Sequence, residues 1–365
     1  MAKTIQQILA APNMIGSIQA MKTGVPNPYD PAFLSIASPT AGDYGSYTKV
    51  DGTRETAQLV QYGAESKRVA QKGVTRVNVK LAHAFEHMMH DPVVLQNLMM
   101  VDRPDVQGLA IAEIGRQTGL FKTRFDNLRI AAIGSMLALG AIYFDGDGNL
   151  LPSATGAVLS ITFAIPQGNT GQLDVFGTGT IIDASWATAG TDIVGQIATL
   201  KDASIRKTGY EITTAYYGAN VMGYLCANTS IRALTVANPA VGQAMLQNML
   251  PDGTLGLKWR KAGSGCFMDQ AGVLQTTFPA DGVTFTPEIT RDVYELLEGT
   301  YPVPTNIGAI SADAVGAAGS VTLARGMFAY AHVLSDPVTI KQLAGDTFLP
   351  VWKVPGALFI ADVTP

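Results

Sequence analysis

The sequence predicts an α+β protein organised around one long helix. Three observations carry this. Between Gln107 and Leu139, the residues Ile114, Phe121, Phe125, Leu128, Ala132, Met136 and Leu139 recur at spacings of three, four or seven, which makes one stripe on a helix. Upstream, the runs Ser46–Tyr62 and Val74–Phe85 alternate with period two and read as a long hairpin. Downstream, residues 321–334 and 348–363 read as closing strands.

The helix is the spine. Gln107–Leu139 would extend about 50 Å if continuous, roughly three times a mean helix. Arg116, Lys122, Arg124, Asp126, Asn127 and Arg129 fall mainly off its stripe. Gly140 is placed to end it in the left-handed conformation. The chain then runs through Ala141–Phe144, the turn Asp145-Gly-Asp-Gly-Asn149, and Leu150–Leu151, a second and shorter hairpin.

The other elements follow in order. Residues 1–40 carry Pro12, Pro26, Pro28, Pro31 and Pro39, which predicts an extended arm after a short helix at Thr4–Ala10. In the long hairpin, Val77, Val79, Leu81, His83 and Phe85 share one face, with Arg76, Asn78, Lys80 and Ala82 on the other. Turn residues cluster around Gly63 and Gly73, and every charge from Lys67 to Lys80 is basic. A hairpin with one apolar face is marginal alone in water, so it needs another surface. Asp91-Pro92 ends the strand, and Val93–Val101 reads as a short helix. A strand is expected at 157–166, a loop at 167–188, and an amphipathic helix at Asp192–Arg206 capped by Thr191. Short strands and helices alternate over 211–250, and short strands continue to 287. Glu288–Leu297 reads as a helix, 299–320 as a Gly/Ala-rich loop, and DPVTIKQ as the link between the closing strands.

Composition narrows the function. Only 15% of the 365 residues are charged, against 47% hydrophobic, where about 25% charged is usual. A large monomer surface cannot be covered with so little charge. Either the chain is secreted and β-rich, or much of its surface is buried against copies of itself. A net charge of −4 argues against nucleic-acid binding as the main activity. Cys226 and Cys266 are too few for a disulfide framework and read as small hydrophobes in a reducing compartment. The N-terminus has no signal-peptide core, and no run of about 18 apolar residues occurs. The sequon Asn228-Thr229-Ser230 therefore carries no weight.

Motifs that could carry chemistry are weak. His83-Ala84-Phe85-Glu86-His87 spells the inverzincin zinc pattern, which would make the chain a zinc-dependent hydrolase. That motif needs a helix, whereas the local period here is two. On a strand, His83 and His87 would lie about 13 Å apart with Glu86 on the opposite face. Asp145–Asn149 resembles the start of a calcium loop, but Leu150 stands where glycine is needed and Gly156 where glutamate is needed. Gly177-Thr-Gly179 lacks the third glycine of a dinucleotide loop. No catalytic residue, metal ligand or cofactor is assigned.

The order of elements resembles the major capsid proteins of tailed bacteriophages, of the Hong Kong 97-type fold, and specifically the lambda-like major capsid protein E family. The residues that carry the resemblance are Arg129–Gly140 leading into Asp145–Asn149, Thr208–Asn228, and Phe328–Val363 with Ser335-Asp336-Pro337 and Leu349-Pro350-Val351. It covers most of the chain from about residue 40. The resemblance implies an N-terminal arm (1–40), an extended loop lying over a neighbouring subunit (41–86) and a peripheral domain (87–186, with the spine at 107–139). It further implies an axial domain (187–325) and closing strands of the peripheral domain (326–365). It implies a structural subunit of hexamers and pentamers in an icosahedral shell around double-stranded DNA, formed in the bacterial cytoplasm. The implied partners are further copies, scaffold, portal and decoration proteins, and DNA held non-specifically, with no membrane. Tyr62, Arg68, Lys72, Arg76 and Lys80 become the candidate inter-subunit contacts. A nanocompartment shell protein of the same fold is the alternative from the same architecture.

Overall fold

The computed structural model describes residues 8–22, 24–50, 74–100, 102–146, 149–173, 180–237, 253–262, 266–268, 274–304, 321–335 and 338–364. Its spine is a 36-residue helix, Pro104–Leu139. Proline opens it where the missing N–H is no loss. Gly140 ends it at φ 65°, donating its N–H to the Met136 carbonyl. An added Cβ there would run into Ile165, and the positive φ strains any other residue, so glycine is favoured. Of the predicted stripe, Ile114, Phe121, Phe125, Ala132 and Met136 are buried, and Leu128 and Leu139 half-buried. Asp126 and Arg129, expected off the stripe, are buried as well, and every residue from Arg129 to Ala138 is enclosed.

Two five-stranded sheets flank the spine. The main sheet runs in the order Ala37–Pro39, Tyr294–Glu298, Val338–Trp352, Phe328–Ser335, with Ala82–Met89 also paired to the long strand. That 15-residue strand pairs with Ala82–Met89 along one side. Its other side carries Phe328–Ser335 and, further along, Tyr294–Glu298. The second sheet runs Lys258–Lys261, Ile212–Tyr217, Gly282–Pro287, Phe359–Asp362, Thr170–Gly171. Thr284 of this sheet donates to the Leu137 carbonyl at 2.8 Å, which ties it to the spine. One core surrounds Ile130–Ala138 with Phe33, Tyr294, Leu349 and Trp352. Another gathers Trp186, Ile197, Leu225, Phe285 and Phe359.

Several expectations are corrected. The long hairpin does not run unbroken to Phe85. Its stem pairs Tyr44–Val50 with Val74–Lys80, and buried Leu81 then interrupts it, donating its N–H to the Asp43 carbonyl. Residues 82–89 leave for the main sheet, so His83 and Phe85 are exposed although Leu81 is not. The turn around Gly63 and Gly73 lies outside the described residues. The arm is folded rather than extended. Ala11–Ala20 is helical with Pro12 in its first turn, Ala32–Ser35 is a helical turn, and Ala37–Pro39 pairs in parallel with residues 296–298. Most of the helix expected at Thr4–Ala10 lies outside the described residues.

Glu288–Leu297 is not a helix. A turn at 291–293 leads into the strand Tyr294–Glu298, which has a partner strand on each side. Short apolar runs do not distinguish helix from strand by period, and the two pairings decide it. Thr300–Pro304, expected as loop, pairs with Val321–Arg325. Val338–Gln342, expected as a link, opens the long strand. The predicted strand at 157–166 shortens to Leu159–Thr162, and the helix after Asp91 spans Pro92–Met99. Asp192, not Thr191, caps the helix Ile193–Thr208 by accepting the Gly195 N–H, while Thr191 donates to the Ser185 carbonyl.

Candidate assembly surface

The hairpin stem explains its own orientation. Tyr47 is buried, and Val77 and Val79 pack beside it on the main core. Gly45 lies so close to that core that an added Cβ would meet Leu297 Cδ1 at 2.8 Å. The base of the hairpin is therefore supported by its own chain. Arg76 and Lys80 lie on the opposite, exposed face. Arg76 donates to Ser46 Oγ at 2.9 Å across the stem. Tyr62, Arg68 and Lys72 lie outside the described residues.

The zinc-hydrolase reading fails on geometry. Residues 82–89 form a strand, so His83 and His87 sit on its exposed side while half-buried Glu86 faces the other way. Each neighbouring group has other work. His83 Nδ1 lies 2.7 Å from Thr347 Oγ1, and burial holds its pKa below the usual histidine range. Glu86 pairs with Arg124 at 2.7 Å. Buried His90 meets Gln342 Oε1 through Nε2 at 2.7 Å. Among the described residues no three His, Cys, Asp or Glu side chains converge to hold a metal. In the short hairpin, Asp145 accepts the Asn149 N–H at 2.7 Å and its side-chain amide at 2.9 Å, so its carboxylate closes the turn.

Sequence reasoning missed the residues that rivet the fold together. Arg129 forms a bidentate pair with Asp346, both bonds 2.6 Å, and donates to Glu298 Oε1 at 3.1 Å. Arg325 holds the other oxygen of Glu298 at 3.1 Å. Asp346 is fully buried. Burial works against the Arg129 charge, but the two carboxylates outweigh it and hold the guanidinium above its ordinary range. One side chain thus joins the spine to the long strand and its neighbour. No local pattern signals this, because Arg129 and Asp346 are 217 positions apart. Asn228 is a similar case. It is buried, caps the helix Thr229–Ala237 by accepting the Ser230 and Ile231 N–H groups, and donates to the Ala189 and Thr191 carbonyls.

Several large apolar side chains remain exposed among the described residues. Leu109 and Leu323 are each 71% exposed, Met99 64% and Val338 58%. Such side chains on a chain so poor in charge are what an assembling subunit needs. No helix is long and apolar enough to cross a membrane among the described residues.

Comparison with known proteins agrees. No curated protein sequence matches the chain. A crystal structure assigned as a prophage capsid protein of Escherichia coli CFT073 shares its fold, with a TM-score of 0.53 and 13% identity over 98% of this chain and 99% of that one. A phage-related protein of Bordetella bronchiseptica RB50 aligns with a TM-score of 0.50 and 8% identity over 97% of each chain. Residues 34–363 match the family described as phage major capsid protein E. The chain therefore belongs to that family, and it is a structural capsid component of a virion rather than an enzyme.

Proposed function

We propose that this chain is the subunit that forms hexamers and pentamers and closes them into an icosahedral shell around phage double-stranded DNA. Assembly takes place in the bacterial cytoplasm. Residues 1–40 act as the arm, 41–86 as the extended loop, 87–186 with 326–365 as the peripheral domain, and 187–325 as the axial domain. The observation that carries the reading is the hairpin stem. It leaves the core with its basic face outward, and its strands at Val50 and Val74 lead into a 23-residue segment whose charges from Lys67 onward are all basic. Tyr62, Arg68, Lys72, Arg76 and Lys80 would then contact a neighbouring subunit. Scaffold, portal and decoration proteins are the further partners, and DNA is held without sequence preference.

The test is sedimentation with negative-stain imaging of the purified chain, where shells, tubes or rings of five and six are expected. Deleting Tyr62–Lys72 should leave soluble, folded subunits that no longer assemble. Shells of wild-type appearance from that deletion would remove the loop from the interface. A DNA-free shell that copurifies with an enzyme would replace the phage head with a nanocompartment.

A further inference from the structure

The strand Ala82–Met89 has a partner on one side only. Its eight residues pair in unbroken register with the long strand, from Ala82↔Phe348 to Met89↔Lys341. Among the described residues no strand pairs with its other edge. Half of its backbone N–H and C=O groups therefore point outward along roughly 26 Å. Natural edges are normally blunted by proline, lysine, a bulge or a covering element. This one has no proline or lysine and no register shift. Its single charge, Glu86, is turned to the inner face and held by Arg124.

The outer face of the same strand is built to receive something. His83, Phe85, His87 and Met89 alternate outward, with Phe85 43% and Met89 46% exposed. Phe85 does not hang free. Its ring and that of Phe328 close over Gly345, where an added Cβ would meet Phe328 Cζ at 2.5 Å and Phe85 Cδ2 at 3.0 Å. Tyr301 stacks on Phe328 with ring centroids 4.8 Å apart, and His83 stacks on Tyr301 at 5.0 Å. Phe328 and Tyr301 thus pack against Phe85 from the side away from the open edge, and Phe85 and His83 stand on the edge strand itself. The open edge and these side chains are the two halves of a strand-addition site, with main-chain groups for affinity and a side-chain surface for selectivity.

We propose that this edge receives an extended segment of a second copy of the chain, with Phe85 at the centre of the contact. Extended backbone is the chemical complement of an unpaired strand edge, and a capsid subunit meets other copies of itself. The outward row carries no Asp, Glu, Lys or Arg, so another copy approaches without charge repulsion. The inference rests on the self-assembly reading above and adds where one contact lies.

Hydrogen exchange on wild-type shells and on the same chain as dissociated subunits tests the edge directly. Amides of residues 82–89 that face away from the long strand should exchange at least tenfold more slowly in shells. Equal rates in the two states would overturn the proposal. Phe85→Asp and Phe85→Leu test the side-chain half. The Asp variant should fold, by circular dichroism and melting, but sediment as small species, whereas the Leu variant should form shells. Wild-type-like shells from a folded Phe85→Asp chain would overturn the contact and leave the capsid reading standing. A wild-type chain that forms no particle would overturn both.

Discussion

The two halves of the spine helix share one backbone geometry and obey different rules. Over residues 104–123 the helix is amphipathic. Ala110, Ile114 and Phe121 face inward, while Leu109, Ala112, Arg116 and Leu120 face out. Over residues 129–138 nothing faces out, because both sheets and the arm enclose the helix. The residues change accordingly. The inner half uses Ala131, Ala132, Gly134, Ser135 and Ala138, whose small side chains let neighbouring backbone approach from every side. Hydrophobic periodicity reports which side of a helix meets water, so it fades where no side does.

Alkali should act on the enclosed half with the largest effect. Tyr29, Tyr216 and Tyr294 are buried together around Phe33, and Tyr29 and Tyr294 belong to the core around the inner half of the spine. Burial pushes the Tyr29 phenol up to about 12, and it raises Tyr216 and Tyr294 as well. An unfolded tyrosine ionises near pH 10. The folded state keeps its protons longer, so this stability is complete below pH 10 and is lost as pH climbs from 10 towards 12. Urea midpoints of the isolated subunit should fall steeply over that window, and Tyr29→Phe with Tyr294→Phe should flatten the fall. A midpoint independent of pH there would mean that the phenols are not enclosed.

Arg129 separates the halves next. Arg129→Met leaves Asp346 as a buried charge without its partner, at a cost of about 3–5 kcal/mol. Arg124, one turn earlier, forms its ion pair at the surface, with its side chain 58% exposed. Arg124→Met should cost less than about 1 kcal/mol. Chemical denaturation of both variants measures the contrast. Adding Asp346→Leu to Arg129→Met should recover most of the loss, because an apolar pair can replace a buried ionic one. No recovery would mean that the strand needs the carboxylate for another reason.

The same contrast explains what could be read from the sequence. The spine, its Gly140 stop, the short hairpin and the Asp91 break were legible because each is signalled within a few residues. The helical ends of the capped segments were legible to within a few positions. Glu288–Leu297 was not, since its strand state depends on Ala37–Pro39 and Phe348–Trp352 far along the chain. Arg129 falls off the predicted stripe, and its burial is illegible for the same reason, as Asp346 and Glu298 are invisible to a local window. The hairpin face failed differently. The alternation around Leu81 is correct on each side, but one interrupting residue sends the two runs to different sheets.

Glycine gives the smallest and sharpest test, because the same substitution should change sign between the halves. At Gly134 an added methyl would run into Thr277 Oγ1 and the Tyr29 hydroxyl. Both neighbours are held in a packed interior, so Gly134→Ala should destabilise by about 1–3 kcal/mol. At Gly115, in the outer half, nothing lies within 4 Å of the new methyl. There only the helix propensity changes, and Gly115→Ala should stabilise the isolated subunit by up to about 1 kcal/mol. Urea titrations of the two variants, made on dissociated chains, should move the midpoint in opposite directions. If both substitutions destabilise, the outer half is also packed against something, and the amphipathic description of that half fails.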